Sequence, residues 1–546
     1  MFGSWKSQVG FFATIVLLLQ SFSWRNCEIY SSVAQIENFI DINYEVQDAL
    51  REYITSVEDN LRGMKHALDE SVNEEGLLHD PSSNVSYQED YAVAVLSRFA
   101  RVRKKLRTNS AWLSDLKAAH KKFNLYLKDI KGLLPSKDDI DGSTDAIIRL
   151  QEAYKLDARS LVALCSGHGV NATLLTLDEI YQLGRNAFLK NKLRITREWM
   201  MLALEKIENE TSIYSLSNRL FNSSEINYNI DIRDHLAYVN FQLGDYGKAQ
   251  TFTKEILNFD SNNSKAKNNL ELLDWTIKLK GCTEKIEDKD EEDYYIHRRY
   301  ESLCRGEMSS KRQKEKSRDR RYTCGYIRQH PSLIIKPIKY EILSTEPEVR
   351  LIYEMASTYE TKVLRRLAFP QLERASVSDL TSNTLKKVSY RTSQSGWLYD
   401  EMHEVVRKIN QRMEAVTGLS AQTAEDLQIA NYGIGGHYEP HYDWSRNFEF
   451  SEMKKRGQGN RIATALLYLN NVPKGGATVF TDAEVTVWPE QGSMAFWYNL
   501  HRNGTGTIDT IHAACPVLIG NKWVANKWFH ERGQEFKRRC SLDRLQ

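Results

Sequence analysis

The sequence lacks three features that would each indicate a class of protein. It has almost no excess charge, because 74 lysines and arginines are balanced by 72 aspartates and glutamates among its 546 residues. That balance gives no electrostatic reason to expect nucleic acid as a partner. The apolar run near its start is too short to span a bilayer comfortably, and no other stretch approaches transmembrane length. Its last residues, Ser541–Gln546, are not a KDEL-type signal, so retention in the endoplasmic reticulum would need another device.

The N-terminus is typical of a secreted protein. Lys6 precedes the apolar run Phe11–Leu19, which is followed by the small residues of Ser21–Ser23. This pattern predicts a signal peptide over residues 1–23 in preference to a buried helix. The seven cysteines fit the oxidising compartment that such a peptide implies. Six Asn-x-Ser/Thr sequences are candidate glycosylation sites, at Asn84, Asn171, Asn209, Asn222, Asn262 and Asn503.

Residues 24–165 are predicted to form a helical domain. Apolar residues recur mostly every three or four positions from Ile36 to Leu68, which is a coiled-coil-like stripe. A second helical stretch runs from Tyr91 to Leu134 and ends at Pro135. The stripe predicts either self-association or the core face of a helical bundle, and the sequence leaves both open.

The next segment, residues 172–278, resembles a tetratricopeptide unit. Leu183–Gly184 and Leu243–Tyr246 each precede a small residue and then an aromatic residue, in the order typical of these repeats. The two copies are 60 residues apart rather than the usual repeat length of about 34, so a short irregular unit is expected. Such units present a concave face to extended peptides. The alternative is a plain helical bundle.

The chain changes character after residue 278. Residues 279–329 are predicted to be a charged, solvated linker, because acids dominate 283–293 and bases dominate 309–321. From residue 330 short apolar segments such as Arg461–Leu469 and Lys522–Phe529 are divided by glycine-rich turns. This pattern predicts a sandwich or jelly-roll barrel.

A candidate metal site lies at His441 and Asp443. Pro440 and the preceding glycines argue against a helix, and on a strand residues two apart point to the same face. His512, 69 residues after Asp443, would supply a third ligand. Two histidines and one carboxylate form the facial triad of non-haem Fe(II) oxygenases. His437, four residues before His441, could mimic a zinc-helix pair, but the same glycines and proline disfavour that helix.

Lys522 predicts the co-substrate. It is six residues from Trp528 on a strand-like run, so both could line one face. An inward lysine is costly unless an anion pairs with it. 2-Oxoglutarate would fit, because its keto-acid end can chelate iron while its distal carboxylate reaches Lys522. The alternative is a Lys522 on the outer face, or one that extends to water.

Several motifs resemble collagen prolyl 4-hydroxylase alpha subunits of the Fe(II)/2-oxoglutarate dioxygenase superfamily. They are Asn431–Asp443, Gly459–Thr464, Gly475–Phe480, Phe496–Leu500, His512–Leu518 and Gly520–Trp528. The resemblance continues through the helical N-terminus and the middle segment. It implies a multidomain α+β protein whose residues 330–546 form a double-stranded β-helix (jelly-roll) dioxygenase domain, with its core over 425–535.

The resemblance also implies residue roles. His441, Asp443 and His512 match the iron ligands, and Lys522 matches the partner of the distal carboxylate of 2-oxoglutarate. Tyr432, Thr464 and Trp528 match residues that line the co-substrate pocket. The implied reaction replaces hydrogen at proline C4 by hydroxyl, while 2-oxoglutarate and O₂ become succinate and CO₂. Ascorbate would restore iron that is oxidised in uncoupled cycles.

Substrate and partners follow from the same resemblance. The middle domain would bind proline-rich, collagen-like peptides through a row of side chains at His235, Tyr238 and Phe241, where the family often shows three tyrosines. Protein disulfide isomerase would be the beta subunit of an alpha-two beta-two tetramer in the endoplasmic reticulum lumen, with self-association through the N-terminal helices. A hydroxylase for another secreted protein, or an inactive peptide-binding scaffold, are the alternatives.

The resemblance also suggests two disulfides. Cys304 would pair with Cys324 inside the linker, and Cys515 with Cys540 near the C-terminus. Sequence alone does not fix connectivity.

Overall fold

A computed structural model describes residues 33–76, 91–131, 134–166, 175–214, 223–283, 292–307, 323–378, 385–387, 390–448, 452–455 and 457–542. The predicted signal peptide and the candidate glycosylation sites Asn84, Asn171 and Asn222 lie outside these residues. The chain divides into two compact units, the first holding the two long N-terminal helices and the second everything from Lys137 onward. Within the described ranges no helix is both long and apolar enough to cross a membrane.

The first unit is a pair of long helices, α1 (Val33–Gly76) and α2 (Tyr91–Ile130). Tyr53 stacks on Phe123 with ring centroids 5.1 Å apart, while Gly63 lies against Trp112 further along. From the first contact to the second, the residue number rises in α1 and falls in α2, so the two helices are antiparallel. Several members of the α1 stripe remain exposed, among them Leu50, Leu61 and Leu68. Pairing within this chain therefore covers only part of the stripe.

In its described residues, the second unit begins with eight helices. They are α3 (Lys137–Tyr154), α4 (Ala158–Ser166), α5 (Leu177–Leu189), α6 (Leu193–Tyr214), α7 (Ser223–Gln242), α8 (Tyr246–Phe259), α9 (Ser264–Lys280) and α10 (Glu292–Cys304). A capping box between Thr176 and Glu179 starts α5. Gly184 of α5 lies against Met200 of α6, where an added Cβ would be 3.0 Å from the methionine side chain. The small residues of the repeat pattern therefore allow close helix pairs, as predicted.

The rest of the unit is a β-domain whose described residues include three helices, α11 (Thr358–Ala368), α12 (Glu404–Thr417) and α13 (Glu452–Lys455). Its strands are β1 (Cys324–Ile327), β2 (Ile338–Thr345), β3 (Glu348–Ile352), β4 (Glu373–Arg374), β5 (Ser376–Ser378), β6 (Leu385–Lys387), β7 (Arg391–Thr392), β8 (Gln394–Leu398), β9 (Leu427–Tyr432), β10 (His437–His441), β11 (Arg461–Tyr468), β12 (Lys474–Gly475), β13 (Thr478–Phe480), β14 (Val485–Val487), β15 (Met494–Tyr498), β16 (His512–Ala514), β17 (Val517–Ile519) and β18 (Lys522–His530).

Two antiparallel sheets form the jelly roll that the resemblance implies. The large sheet has the order β1-β2-β3-β15-β11-β18-β9-β8-β4, and the small sheet has the order β14-β13-β16-β10-β7. One apolar cluster joins side chains of both sheets, such as Leu466 and Val524 from the large one and Phe480 and Ala514 from the small one. A second cluster packs α11 and α12 on the outer face of the large sheet. The space between the sheets is therefore the interior in which the candidate site lies.

Helix α3 packs directly on the β-domain. The Arg149 guanidinium donates to the carbonyl of Gly435, and the Tyr154 hydroxyl donates to the carbonyl of Pro516. On its other side the Trp199 indole of α6 donates to Gln151 at 2.7 Å. The helix thus contacts both the repeat helices and the loops beside the candidate site.

The predicted disulfide pairing is wrong. Cys304 is bonded to Cys515, across 211 residues of sequence and with Cα atoms 5.5 Å apart, whereas Cys324 and Cys540 are free and exposed. The reason is packing, because the end of α10 lies on β13 and β16 in one apolar cluster that contains both bonded cysteines. A disulfide requires this short Cα separation, and neighbours in sequence do not ensure it.

Candidate active site

The three predicted metal ligands come together. His441 ends β10, His512 begins β16, and the two residues are directly paired in the small sheet. Asp443 is placed between them, with its carboxylate oxygens 3.8 Å from His441 Nε2 and 3.6 Å from His512 Nε2. The three ligand atoms lie within 4.8 Å of one another, so the group could hold a metal ion.

The strand is shorter than expected. β10 ends at His441 after an irregularity in its pairing with β16, and Asp443 lies in the turn that follows. The same-face argument for a continuous strand is therefore wrong for Asp443. The turn is held by Arg461, which donates to the Asp443 carbonyl at 3.2 Å. A bulge next to a site re-aims side chains in this way.

Backbone carbonyls orient both imidazoles. His441 Nδ1 is 2.7 Å from the Glu439 carbonyl oxygen, and His512 Nδ1 is 2.9 Å from that of Thr510. A carbonyl only accepts, so Nδ1 carries the proton in each neutral ring and Nε2 keeps its lone pair for a metal.

Electrostatics put His441 and Asp443 in the protonation states that a metal needs. Burial lowers the pKa of His441 to about 3. Burial alone would raise the pKa of Asp443, but His512 and His441 hold that pKa at about 2. Near pH 7 the set therefore offers a neutral His441 imidazole and a carboxylate, the forms that bind a divalent cation.

Behind Asp443 lies a chain of three hydrogen bonds. Thr464 donates its hydroxyl to the Asp443 carboxylate at 2.8 Å, and Asn499 donates to that hydroxyl at 2.9 Å. Trp497 donates its indole N–H to Asn499 at 2.8 Å. Thr464 was predicted as a pocket residue. Asn499 and Trp497 received no role, although both lie in a motif that carries the resemblance.

Replacing Thr464 with valine should weaken metal binding about tenfold, because loss of a partner that orients a ligand typically costs 10- to 100-fold in metal affinity. Titration with Fe(II) or Mn(II) would measure the loss. Thr481→Val is the matched control, since the Thr481 hydroxyl is buried with no hydrogen-bond partner in the described structure. Equal losses in both variants would contradict an orienting role for Thr464.

Lys522 begins β18 between the two sheets. It is 1% exposed, and its ammonium is 3.3 Å from the Thr478 hydroxyl. The rings of Tyr432, its cross-strand partner, and of Tyr468 lie 5.5 and 5.7 Å from Nζ. Among the described residues no carboxylate is within ion-pair distance, and burial lowers the pKa of Lys522 to about 7. A buried cation without a counter-charge fits an anionic ligand, so these residues fit 2-oxoglutarate.

Trp528 stands on the same strand, opposite Thr464 of β11. Its indole is buried, and its N–H helps to lower the pKa of Asp443. The guanidinium carbon of Arg461 lies 4.1 Å from the centroid of the Trp528 ring, and the guanidinium donates two hydrogen bonds to the Glu425 carboxylate. Glu425 lies in no recognisable motif, and sequence reasoning missed this support.

Binding of 2-oxoglutarate at pH 8 should take up about one proton. A carboxylate next to Lys522 favours the ammonium, whereas the ligand-free amine with its pKa of about 7 is mostly neutral at that pH. Affinity should therefore fall up to tenfold per pH unit above 7. Calorimetry with Mn(II) in buffers of different ionisation enthalpy would measure the uptake.

Lys522→Arg is the control, because guanidinium stays protonated and should show no uptake. The linkage also gives a sign for stability. The unfolded chain holds this proton up to about pH 10.5, so without ligand this residue should add stability as pH rises from about 7 to 10.5. Proton uptake in the arginine variant equal to that of the wild type would contradict the assignment to Lys522.

The predicted peptide-binding row lies on α7. Tyr238 is exposed and His235 is partly exposed, and both contact the ring of Phe188 from α5. Phe241 instead packs against Tyr246 in a small apolar cluster. The structure therefore brings His235 and Tyr238 together on one surface and directs Phe241 into the packing between repeat helices.

The other predicted residues are scattered. His437 is buried on a strand with its pKa lowered by burial to about 4, and it is not part of a helical pair with His441. The candidate glycosylation sites Asn209 and Asn262 are exposed, and Asn503 is partly exposed.

Comparison with known families covers most of the chain. Residues 32–163 match the prolyl 4-hydroxylase alpha-subunit, N-terminal region, and residues 177–278 match the prolyl 4-hydroxylase peptide-substrate-binding domain. Residues 427–530, which hold the triad and Lys522, match the 2OG-Fe(II) oxygenase superfamily. The cofactors of this superfamily, Fe(II) and 2-oxoglutarate, are those that the site fits.

Individual relatives agree. The chain is 34% identical to human prolyl 4-hydroxylase subunit alpha-1, over 95% of this chain and 96% of that one. It is 35% identical to chicken prolyl 4-hydroxylase subunit alpha-2, over 94% and 95%. A solved viral collagen prolyl hydroxylase from Paramecium bursaria Chlorella virus 1, in complex with 2OG, is 24% identical with a TM-score of 0.27, over 33% of this chain and 94% of that one. The identity to the two alpha subunits over nearly the whole chain shows that the chain belongs to the family of prolyl 4-hydroxylase alpha subunits, which are 2-oxoglutarate-dependent prolyl hydroxylases.

Proposed function

We propose that this chain is the catalytic subunit of a procollagen-proline 4-dioxygenase, which hydroxylates C4 of proline in collagen-like X-Pro-Gly sequences. One observation carries the proposal. Two imidazoles and a carboxylate, oriented to share a metal, lie in the same β-domain as a buried lysine that has no counter-anion among the described residues. The family relation supplies the target atom, and the peptide-substrate-binding match supplies the class of substrate.

Each residue has a definite part in this proposal. His441, Asp443 and His512 would hold the metal, as the two-histidine, one-carboxylate set of non-haem Fe(II) oxygenases does. Lys522 pairs with the distal carboxylate of 2-oxoglutarate, and Thr464 orients Asp443. Tyr432 and Trp528 line the pocket and exclude water. When bound, Fe(II) and 2-oxoglutarate supply the O₂ activation that replaces hydrogen at C4 by hydroxyl and leaves succinate and CO₂.

The assembly and the compartment belong to the proposal as well. We infer an alpha-two beta-two tetramer with protein disulfide isomerase in the endoplasmic reticulum lumen, ascorbate as the reductant of oxidised iron, and removal of residues 1–23. The exposed apolar residues of α1 support self-association through residues 24–165. Exposed Asn209 and Asn262 are compatible with glycosylation.

One assay tests the function. The chain is co-expressed with protein disulfide isomerase, and decarboxylation of 2-oxoglutarate is measured with and without a Pro-Pro-Gly repeat peptide. Stimulation by the peptide, with 4-hydroxyproline in the product, is expected. Stimulation only by another proline-rich secreted sequence would favour a non-collagen target, and no turnover with iron and ascorbate would favour an inactive scaffold.

A further inference from the structure

Five aromatic rings meet on one side of α5 and α7, inside the region that matches the peptide-substrate-binding domain. Tyr181 packs on Tyr228 with centroids 5.0 Å apart, and Phe188 packs on His235 at 4.8 Å and on Tyr238 at 5.4 Å. Tyr238 is 48% exposed, and the His235 side chain is 15% exposed. We call these five residues the aromatic surface.

The hydrogen-bonding capacity of His235 is fixed by its own helix. Its Nδ1 is 2.7 Å from the carbonyl oxygen of Asp231, one turn earlier. Because a carbonyl oxygen can only accept, Nδ1 carries the proton in the neutral ring. Nε2 is then an acceptor, and it points away from that carbonyl because the two ring nitrogens diverge. The neutral side chain, which stands among these rings, therefore has one lone pair and no N–H left for a ligand.

Two tyrosines of the surface direct their protons elsewhere. The Tyr181 hydroxyl donates to the Asp231 carboxylate, and the Tyr228 hydroxyl donates to Asp178 at 2.6 Å. The hydrogen bond to Asp178 is the main reason that the pKa of Tyr228 is raised. Both carboxylates are exposed. The surface is thus rich in acceptors.

The remaining donors are few. The Tyr238 hydroxyl makes no hydrogen bond within the described part of the chain, so it can donate to a peptide. Arg185 is exposed one turn beyond Tyr181 on α5, and its charge acts to lower the pKa of that tyrosine. Its guanidinium is a second possible donor. The surface can therefore donate hydrogen bonds to peptide carbonyl oxygens near Tyr238 and Arg185, but not at His235.

A proline-only segment cannot satisfy His235. Proline has no backbone N–H, so the proline positions of a Pro-Pro-Gly sequence offer carbonyl acceptors alone. A lone pair facing a carbonyl would lose its water without gaining a partner, which costs affinity. A lysine ammonium, an arginine guanidinium or a serine hydroxyl would supply the missing donor, and the cations would also face the aromatic rings and the two carboxylates.

We propose that His235 makes this domain select proline-rich peptides that carry a side-chain hydrogen-bond donor at the position facing it. The inference rests on the proposed function only in taking the aromatic surface as the peptide site. It deepens that function by naming a chemical feature of the substrate.

The test compares host peptides that differ in one residue. A (Pro-Pro-Gly)₅ host receives lysine, methionine, serine or alanine in place of a central proline. Binding to the full chain, purified with protein disulfide isomerase, is measured at pH 8 without iron or 2-oxoglutarate. We expect lysine to bind about tenfold more tightly than methionine, and serine about fivefold more tightly than alanine, as one hydrogen bond provides. If the lysine and methionine peptides bind equally, and the serine and alanine peptides also bind equally, the proposal is overturned.

His235→Phe keeps a ring and removes the acceptor. Both ratios should fall to about one in this variant, while the unsubstituted host still binds. Ratios that persist would assign the preference to Asp178 and Asp231 and overturn the role of His235. His235→Tyr adds a hydroxyl donor and should shift preference toward the unsubstituted host. Decarboxylation of 2-oxoglutarate, measured in the same preparation, separates the proposed function from the selectivity of His235. Normal turnover together with equal Kd values refutes only the selectivity. If turnover is absent, the proposed function fails, and the Kd ratios still decide the selectivity.

Discussion

His512→Ala is expected to reduce 2-oxoglutarate turnover by at least a hundredfold. Loss of a residue that merely orients a ligand costs 10- to 100-fold in metal affinity, and His512 would contribute a ligand atom itself. Its Nε2 is 3.6 Å from the Asp443 carboxylate and its Nδ1 is held by the Thr510 carbonyl, so the substitution removes an oriented lone pair from the metal site. Metal content and peptide-stimulated decarboxylation would both be measured.

His501→Ala is the control for this variant. His501 belongs to the same domain, and its hydrogen bonds within the described structure are made by its backbone. It should retain metal and turnover. If His512→Ala kept a full complement of iron and its turnover, the ligand set would have to be sought elsewhere.

Lys522→Met should weaken the binding of 2-oxoglutarate but stabilise the ligand-free protein. The requirement for 2-oxoglutarate should rise by about 10- to 150-fold, because a hydrogen bond between charged groups contributes about 1.5–3 kcal/mol. The ligand-free protein should become more stable, because methionine fills a similar volume without a buried amine that lacks a counter-charge. Kinetic titration gives the first effect, and thermal unfolding without 2-oxoglutarate gives the second.

Lys527→Met provides the comparison on the same strand. Lys527 is also buried, but it points to the opposite face, and Asp400 and Asp426 act to raise its pKa against the effect of burial. Because Asp400 and Asp426 offset part of the effect of burial, its loss should change stability less than the loss of Lys522 and leave the 2-oxoglutarate requirement unchanged. A 2-oxoglutarate requirement that is unchanged in Lys522→Met would remove Lys522 from its proposed role.

The sequence predicted elements whose determinants are local. The repeat glycine at Gly184 and the run Lys522–Phe529 specify a close helix pair and a strand through their own residue types, and both are found. The two-residue spacing of His441 and Asp443 correctly suggested a pair, although a turn and not a strand brings Asp443 into place.

What could not be predicted depends on contacts between distant segments. The register that pairs His441 with His512 is set by strand packing. Cys304 meets Cys515 only because α10 lies across the small sheet. Glu425 supports the site only through Arg461, and nothing near Glu425 in the chain announces that contact. Pairwise proximity of this kind has no local signature in a single sequence.

Helix α3 limits how far this protein can be taken apart. It caps the carbonyls of Gly435 and Pro516, close in sequence to His441 and His512, while its other side is bonded to Trp199 of the repeat helices. A catalytic fragment that starts at residue 330 would uncover both carbonyls and the apolar contact with Ala146. If the peptide-binding region is exchanged between relatives, α3 must still fit both the β-domain on one side and the repeat helices on the other. A chimera joined after Tyr154 would therefore have to preserve both sets of contacts.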